Sequence, residues 1–292
     1  MDLSVSSIRI AIIADIHGTL PSLKAVLKDI QSNPPDEIIV AGDFIVGPQP
    51  REVMDHLQGL GCRFILGNGE LNMLKMHQGT APKEWWTHRQ FDLGRWIYQN
   101  LDKEIFEFLE KLPEQLVVQP RGCPPVRVIH GALWDAYVEI FPHEEPEVLT
   151  RALMMIPEDV MVFAHTHLPD VIYHDHKLAV NPGSVSNNLN GDTRASYAIL
   201  THDQMGWQPG LHFVSYDLAE VVQIYKETGF LQANDPLSRA FLESVLTGEN
   251  VGKDFIQYAF RQAMEAGYGD VKAVPDQIWA GAAETFPWQF TF

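Results

Sequence analysis

Short apolar runs rich in β-branched residues recur along the chain, and each ends at residues able to bind a metal ion. Ile8–Ala14 runs into Asp15-Ile16-His17-Gly18, and Glu37–Ala41 into Gly42-Asp43. Arg63–Leu66 ends at Gly67-Asn68, Val126–Ile129 at His130-Gly131, and Val160–Ala164 at His165-Thr166-His167. Such runs read as buried strands. Between the first three lie amphipathic stretches. One has Pro21 near its start and Leu23, Val26, Leu27 and Ile30 on one face; another covers roughly 51–59. Strand, helix, strand, helix, strand in close succession predicts a parallel sheet covered by helices. Open α/β sheets place their sites at the carboxyl ends of strands, where each of these polar residues falls.

Carboxylate and amide oxygens mixed with imidazole nitrogens suit Mn, Fe, Zn, Ni or Co better than calcium or a thiolate zinc site. Asp15, His17, Asp43, Asn68, His130, His165 and His167 exceed the ligand set of one tetrahedral zinc. They fit two divalent ions sharing one carboxylate, with Asp43 as the expected bridge. Taken singly, an Asp-x-His is common, a His-x-His often marks one face of a strand, and a buried His is usually a satisfied core group. The conjunction of such residues at successive strand ends is what packing alone does not produce.

The rest of the chain adds layers. Residues 71–118 hold Trp85, Trp86, Trp96 and Tyr98, then Leu101, Ile105, Phe108, Leu109 and Leu112 at helical spacing, which predicts a helical insert with its aromatics in packing roles. Strands at Val126–Ile129, Val160–Ala164, Val171–Tyr173 and Leu178–Val180, and a hairpin of Ser196–Leu200 with Gly210–Tyr216, read as a second sheet packed on the first. Asn181-Pro182-Gly183-Ser184 is a turn. From Asp217 the chain reads as helices at Leu218–Thr228, Pro236–Thr247, Lys253–Ala266 and Pro275–Ala283. This extension carries no chemical motif; docking on the core or a homo-oligomer contact are its expected roles.

The formal net charge is −17, from 38 acidic and 21 basic residues, a surface that repels long nucleic acid. Ile8–Ala14 is too short to span a bilayer and lacks a basic flank, so no membrane association is expected. Cys62 and Cys123 suit inert thiols of a reducing compartment, and the chain reads as cytoplasmic.

The blocks Asp15-Ile16-His17, Gly42-Asp43, Gly67-Asn68, His130-Gly131 and His165-Thr166-His167 resemble those of the calcineurin-like metallophosphoesterase superfamily, most of all its small bacterial and archaeal phosphodiesterase branch. Asn181-Pro182-Gly183-Ser184-Val185 and Arg194-Ala195-Ser196-Tyr197 also look like that branch. The resemblance implies an α/β fold, a four-layer αββα sandwich of two mixed sheets over residues 1–216, with 217–292 as a separate helical extension. It implies one metal held by Asp15, His17, Asp43 and His167 and another by Asp43, Asn68, His130 and His165. Asp43, Asn68 and His130 would serve catalysis, in which a hydroxide bridging the ions attacks a small phosphate ester, a phosphodiester or a nucleotide.

Two departures stand out. The family's fourth block usually continues with His, credited with protonating the leaving group, whereas here Gly69 and Glu70 follow Asn68. General-acid help is worth roughly 10²–10⁴-fold, so its loss favours good leaving groups unless Glu70 or His88 substitutes. Ala164 also replaces the usual Gly before His-x-His. The competing expectations are a phosphomonoesterase or protein phosphatase, and a non-catalytic metal-binding scaffold.

Overall fold

The computed structural model describes residues 7–231 and 235–292. β1 (Ile8–Ile13) leads through α1 (Leu20–Ser32) to β2 (Glu37–Val40), and through α2 (Pro50–Gly59) to β3 (Arg63–Phe64). The insert holds α3 (Asn68–His77), α4 (Glu84–Thr87), α5 (Asp92–Gln99) and α6 (Lys103–Leu109). There follow β4 (Gln115–Val118), β5 (Val126–Ile129), α7 (Pro146–Met154), β6 (Val160–Val162), β7 (Asp170–His174), β8 (Lys177–Asn181), β9 (Ala195–Asp203) and β10 (Gly206–Val214). The chain ends in α8 (Leu218–Glu227), α9 (Pro236–Thr247), α10 (Val251–Glu265) and α11 (Asp276–Thr285).

Two mixed five-stranded sheets form, in the orders β10-β9-β1-β2-β3 and β4-β5-β6-β8-β7. Side chains alternate across each strand, so the inner strands of each sheet feed two cores. Ile10 and Ile12 of β1 pack between the sheets with Val126, Val128, Val160, Val162 and Val180. Ala11 and Ile13 face the other way, onto Leu23, Val26 and Ile30 of α1. The second sheet turns Ile129, Met161 and Ala179 outward onto Leu149, Ala152 and Leu153 of α7. Helices, sheet, sheet, helix is the expected four-layer sandwich.

Several local expectations change. The β9–β10 hairpin belongs to the first sheet rather than the second: β9 pairs antiparallel with β1, in the register Ile10↔Leu200. β9 is buried from Ala195 to Leu200 because it lies between two strands and two cores. Gln115–Val118, read as part of the helical insert, is a strand pairing antiparallel with β5 at a sheet edge. α7 was not expected, although Pro146 at its first turn and the Leu149–Leu153 spacing signal it. β3 stops at Phe64, so Asn68 opens a helix rather than directly following a strand.

The C-terminal helices have their own small core, in which the Phe255 and Trp279 rings meet edge to face at 4.8 Å. They dock on the rest of the chain as well. Asp276 accepts the Arg89 N–H at 2.8 Å, Gln90 accepts the Val274 N–H at 2.6 Å, and Gly248 accepts the Gly191 N–H at 2.9 Å.

Candidate metal centre

The loops after β1, β2, β5 and β6 and the first residue of α3 meet at one edge of the sandwich, and they bring Asp15, His17, Asp43, Asn68, His130, His165 and His167 together. Two groups each place ligand atoms within 4.8 Å of one another: Asp15, His17 and His167, and Asp43, His130 and His165. Asn68 Oδ1 lies 3.0 Å from His130 Nε2, beside the second group. Asp43 Oδ2 is 4.0 Å from His17 Nε2 and its Oδ1 is 3.7 Å from His130 Nε2, so its carboxylate spans both.

The backbone is bent to make this possible. Asp15, His17, Asp43, His165 and His167 have φ between 46° and 70°; among the described residues the further non-glycine residue with positive φ, Asp175, lies in the β7–β8 turn. Such conformations cost about 1–3 kcal/mol each and persist where surroundings over-determine them. Here Asp15 N–H is held by Gly42 O at 3.1 Å and His17 N–H by Asp43 O at 2.9 Å. Gly47 and Gly67 permit the close approach: a Cβ at Gly47 would lie 1.7 Å from His17 O, and one at Gly67 2.1 Å from Asp43 Oδ1.

Ring orientation is fixed from behind. His17 Nδ1 faces Val46 O at 3.3 Å, His130 Nδ1 faces Ala41 O at 2.8 Å, and His167 Nδ1 faces Asn187 O at 2.7 Å. Each carbonyl can only accept, which assigns the ring proton to Nδ1 and leaves Nε2 bare toward the centre, the usual arrangement behind metal ligands. His17 and His167 bring their Nε2 atoms within 3.1 Å of each other, two ring nitrogens converging on one point. Asp15 Oδ1 is buried without a hydrogen-bond partner, 3.4 Å from His167 Nε2. Burial and the Asp15 charge push Asp43 up to about 7. Burial raises Asp15 too, but His167, His130 and His17 draw it below the usual carboxylate range. Burial and His167 lower His17 to about 3, and burial and His130 lower His165 to about 4. Burial lowers His167 as well, but the Asp15 carboxylate beside it outweighs that and raises it. Two buried carboxylates face one another here across imidazoles, and divalent cations between the facing donors would supply the positive charge that balances them. The donors present therefore fit metal.

Glu70 proves to be a brace rather than a substitute acid. It is fully buried; Oε1 accepts N–H groups of Phe44 and Ile45, and Oε2 those of Asp43 and Gly67, at 2.8–3.1 Å. Four donors converge on it and leave no place for a proton. Neither is His88 a substitute: its ring meets Thr87 Oγ1 at 3.0 Å, and it does not line the cavity over the candidate ligands. At position 69 even a Cβ would come within 2.5 Å of Val46 Cγ2 and 3.0 Å of Asp43 Oδ1. Val46 fills the space that a side chain there would need.

That cavity, of about 340 Å³, is lined by His17, Asp43, Asn68, His165 and His167 at its floor. Its walls include Asn72, Ile97, Glu139 and Asn187, together with Tyr225, Phe230, Phe241, Ser244 and Asn250. The last five come from the C-terminal helices and their connections, and the sequence carries no motif that would have found them. Trp85, Trp86 and Trp96 pack instead within the insert and against Phe230, as expected. His174 and His176 flank the β7–β8 turn away from both groups. No helix among the described residues is long and apolar enough to cross a membrane.

The same chain compares with known proteins as follows. An uncharacterized protein of Methanocaldococcus jannaschii is 26% identical over 234 residues, 73% of this chain and 90% of that protein. The symmetrical bis(5'-nucleosyl)-tetraphosphatase of Hamiltonella defensa is 36% identical over 193 residues, 64% of this chain and 62% of that enzyme. The enzyme of that name from Pectobacterium carotovorum matches at 35% over 80 residues, 25% of this chain and 28% of that enzyme. The chain thus spans less than two thirds of these tetraphosphatases. A metallophosphoesterase structure from Sphaerobacter thermophilus shares the fold with a TM-score of 0.66 at 24% identity, covering 82% of this chain and 99% of that one. Residues 8–205 match the calcineurin-like phosphoesterase superfamily domain, more than half of the chain. The chain therefore belongs to the calcineurin-like phosphoesterase superfamily and is a phosphoesterase.

Proposed function

We propose that the chain hydrolyses phosphodiesters using two divalent transition-metal ions, one held by Asp15, His17, Asp43 and His167 and the other by Asp43, Asn68, His130 and His165. The observation that carries this reading is the pair of facing Nε2 atoms of His17 and His167 beside the orphaned Asp15 Oδ1. When bound, the cations would lower the pKa of water held between them and offset charge on the phosphoryl oxygens. The protein's part is orientation. Carbonyls of Val46, Ala41 and Asn187 hold the rings, and Gly69 N–H holds Asp43 Oδ1 at 2.8 Å.

Neither Glu70 nor His88 can protonate a departing oxygen here, which supports substrates whose leaving group departs unaided, such as aryl esters. The test is hydrolysis of bis(p-nitrophenyl) phosphate and of p-nitrophenyl phosphate after loading with Mn²⁺. Diester turnover that requires manganese, exceeds monoester turnover and disappears in Asp43→Asn is expected. Faster monoester turnover would reassign the chain as a phosphomonoesterase. No turnover of either ester by metal-loaded protein would favour a scaffold.

A further inference from the structure

The catalytic cavity is closed by helices that lie beyond the stretch matched by the superfamily. Phe230, between α8 and α9, is buried and meets Tyr225 of α8 edge to face at 4.9 Å, which makes a firm wall. Phe241 of α9 differs: it lines the cavity yet is 37% exposed. Its ring lies against Gly252, where a Cβ would come within 3.0 Å of Cε1. An aromatic surface so placed at a cavity wall offers a stacking face.

Two independent observations say what kind of group would lie there. Asn187 Oδ1, also at the cavity, is buried without a hydrogen-bond partner. Leaving such an acceptor unmet costs about 1–3 kcal/mol, and an O–H or N–H of a bound molecule would meet it. Further, no lysine or arginine lines the cavity among the described residues, while Asp43 and Glu139 do. Lys253 approaches from outside the lining, but its Nζ is taken up by Glu139 at 3.6 Å, so beyond the metal residues no lysine or arginine among the described residues faces further phosphates. The volume of about 340 Å³ lies at the low end of the ~300–1,000 Å³ usual for ligand sites.

We propose that α8, α9 and the start of α10 form an ester-group subsite that takes one aromatic ring system, an aryl group or a nucleobase, on a single phosphodiester. The same walls turn away polyphosphate chains, so a dinucleoside tetraphosphate is a poor substrate. This rests on the phosphodiesterase reading above, and its test is chosen to separate the two.

Titration calorimetry of the Mn²⁺-loaded chain would compare phenylphosphonate with methylphosphonate, which share a phosphoryl group and differ in the ring. The wild type is expected to bind the phenyl compound about tenfold more tightly, a preference of the size aromatic contacts give. Phe241→Ala would bring the ratio near one while retaining the wild-type melting midpoint and manganese content, and Phe241→Trp would restore it. A ratio near one in the wild type, or one that survives in Phe241→Ala, overturns the subsite. Turnover of diadenosine tetraphosphate as fast as that of bis(p-nitrophenyl) phosphate overturns the exclusion of polyphosphates. A phenyl preference lost in Phe241→Ala, in protein that hydrolyses no ester, would support the subsite while removing the enzymatic reading.

Discussion

Glu70 does not line the cavity, yet the placement of Asp43 between the two ligand groups depends on it. Both its oxygens accept two N–H groups, so even Glu70→Gln would turn an amide toward at least one backbone donor. A buried donor left unmet costs about 1–3 kcal/mol, and the loop carrying Asp43 would shift. Glu70→Gln is expected to melt at lower temperature and to bind manganese more weakly, as read by thermal denaturation and metal titration. Wild-type values in both would show that Glu70 does not brace the loop. The candidate metal ligands were legible in the sequence because each follows an apolar run. Glu70 was legible only as a polar residue near them. Its partners at positions 43, 44 and 45 come from a different loop, and only the fold reveals that it accepts hydrogen bonds from their N–H groups rather than donating a proton to substrate.

Secondary structure was most legible where burial and local signals agree. In α1 and α2 an early proline and an apolar stripe coincide, and both helices formed as read. The strand β4 was hidden because Gln115 and Val117 are exposed at a sheet edge and the preceding residues are helical. The hairpin of β9 and β10 was visible, but its choice of sheet is a long-range pairing with β1 that no local pattern encodes. At the start of α9, Asp235 caps the helix by accepting the Leu237 N–H at 3.0 Å, while burial pushes its carboxyl from 3.8 up to about 6. The folded state thus holds this proton more tightly than the unfolded one, so stability falls as pH rises from about 4 through 6. Asp235→Asn keeps the capping oxygen and removes the buried charge. The variant is expected to melt above wild type at pH 7.5, by a difference on the order of 2 kcal/mol in stability that shrinks toward pH 5. An equal or lower melting midpoint at pH 7.5 would contradict this.

At the scale of the whole molecule, the sandwich gathers strand ends at one edge and the C-terminal helices cover it. The first part follows from the order of apolar runs in the sequence; the second does not, since Tyr225, Phe230 and Phe241 look like ordinary apolar positions of amphipathic helices. What they wall depends on how α8 and α9 dock. A chain with net charge −17 and two buried carboxylates at its centre calls for cations there. Metal stoichiometry tests that claim most directly. After equilibrium dialysis with Mn²⁺, elemental analysis should find about two ions per chain in the wild type and about one in His130→Ala. One ion or none in the wild type, or two retained in His130→Ala, would contradict the two-metal account.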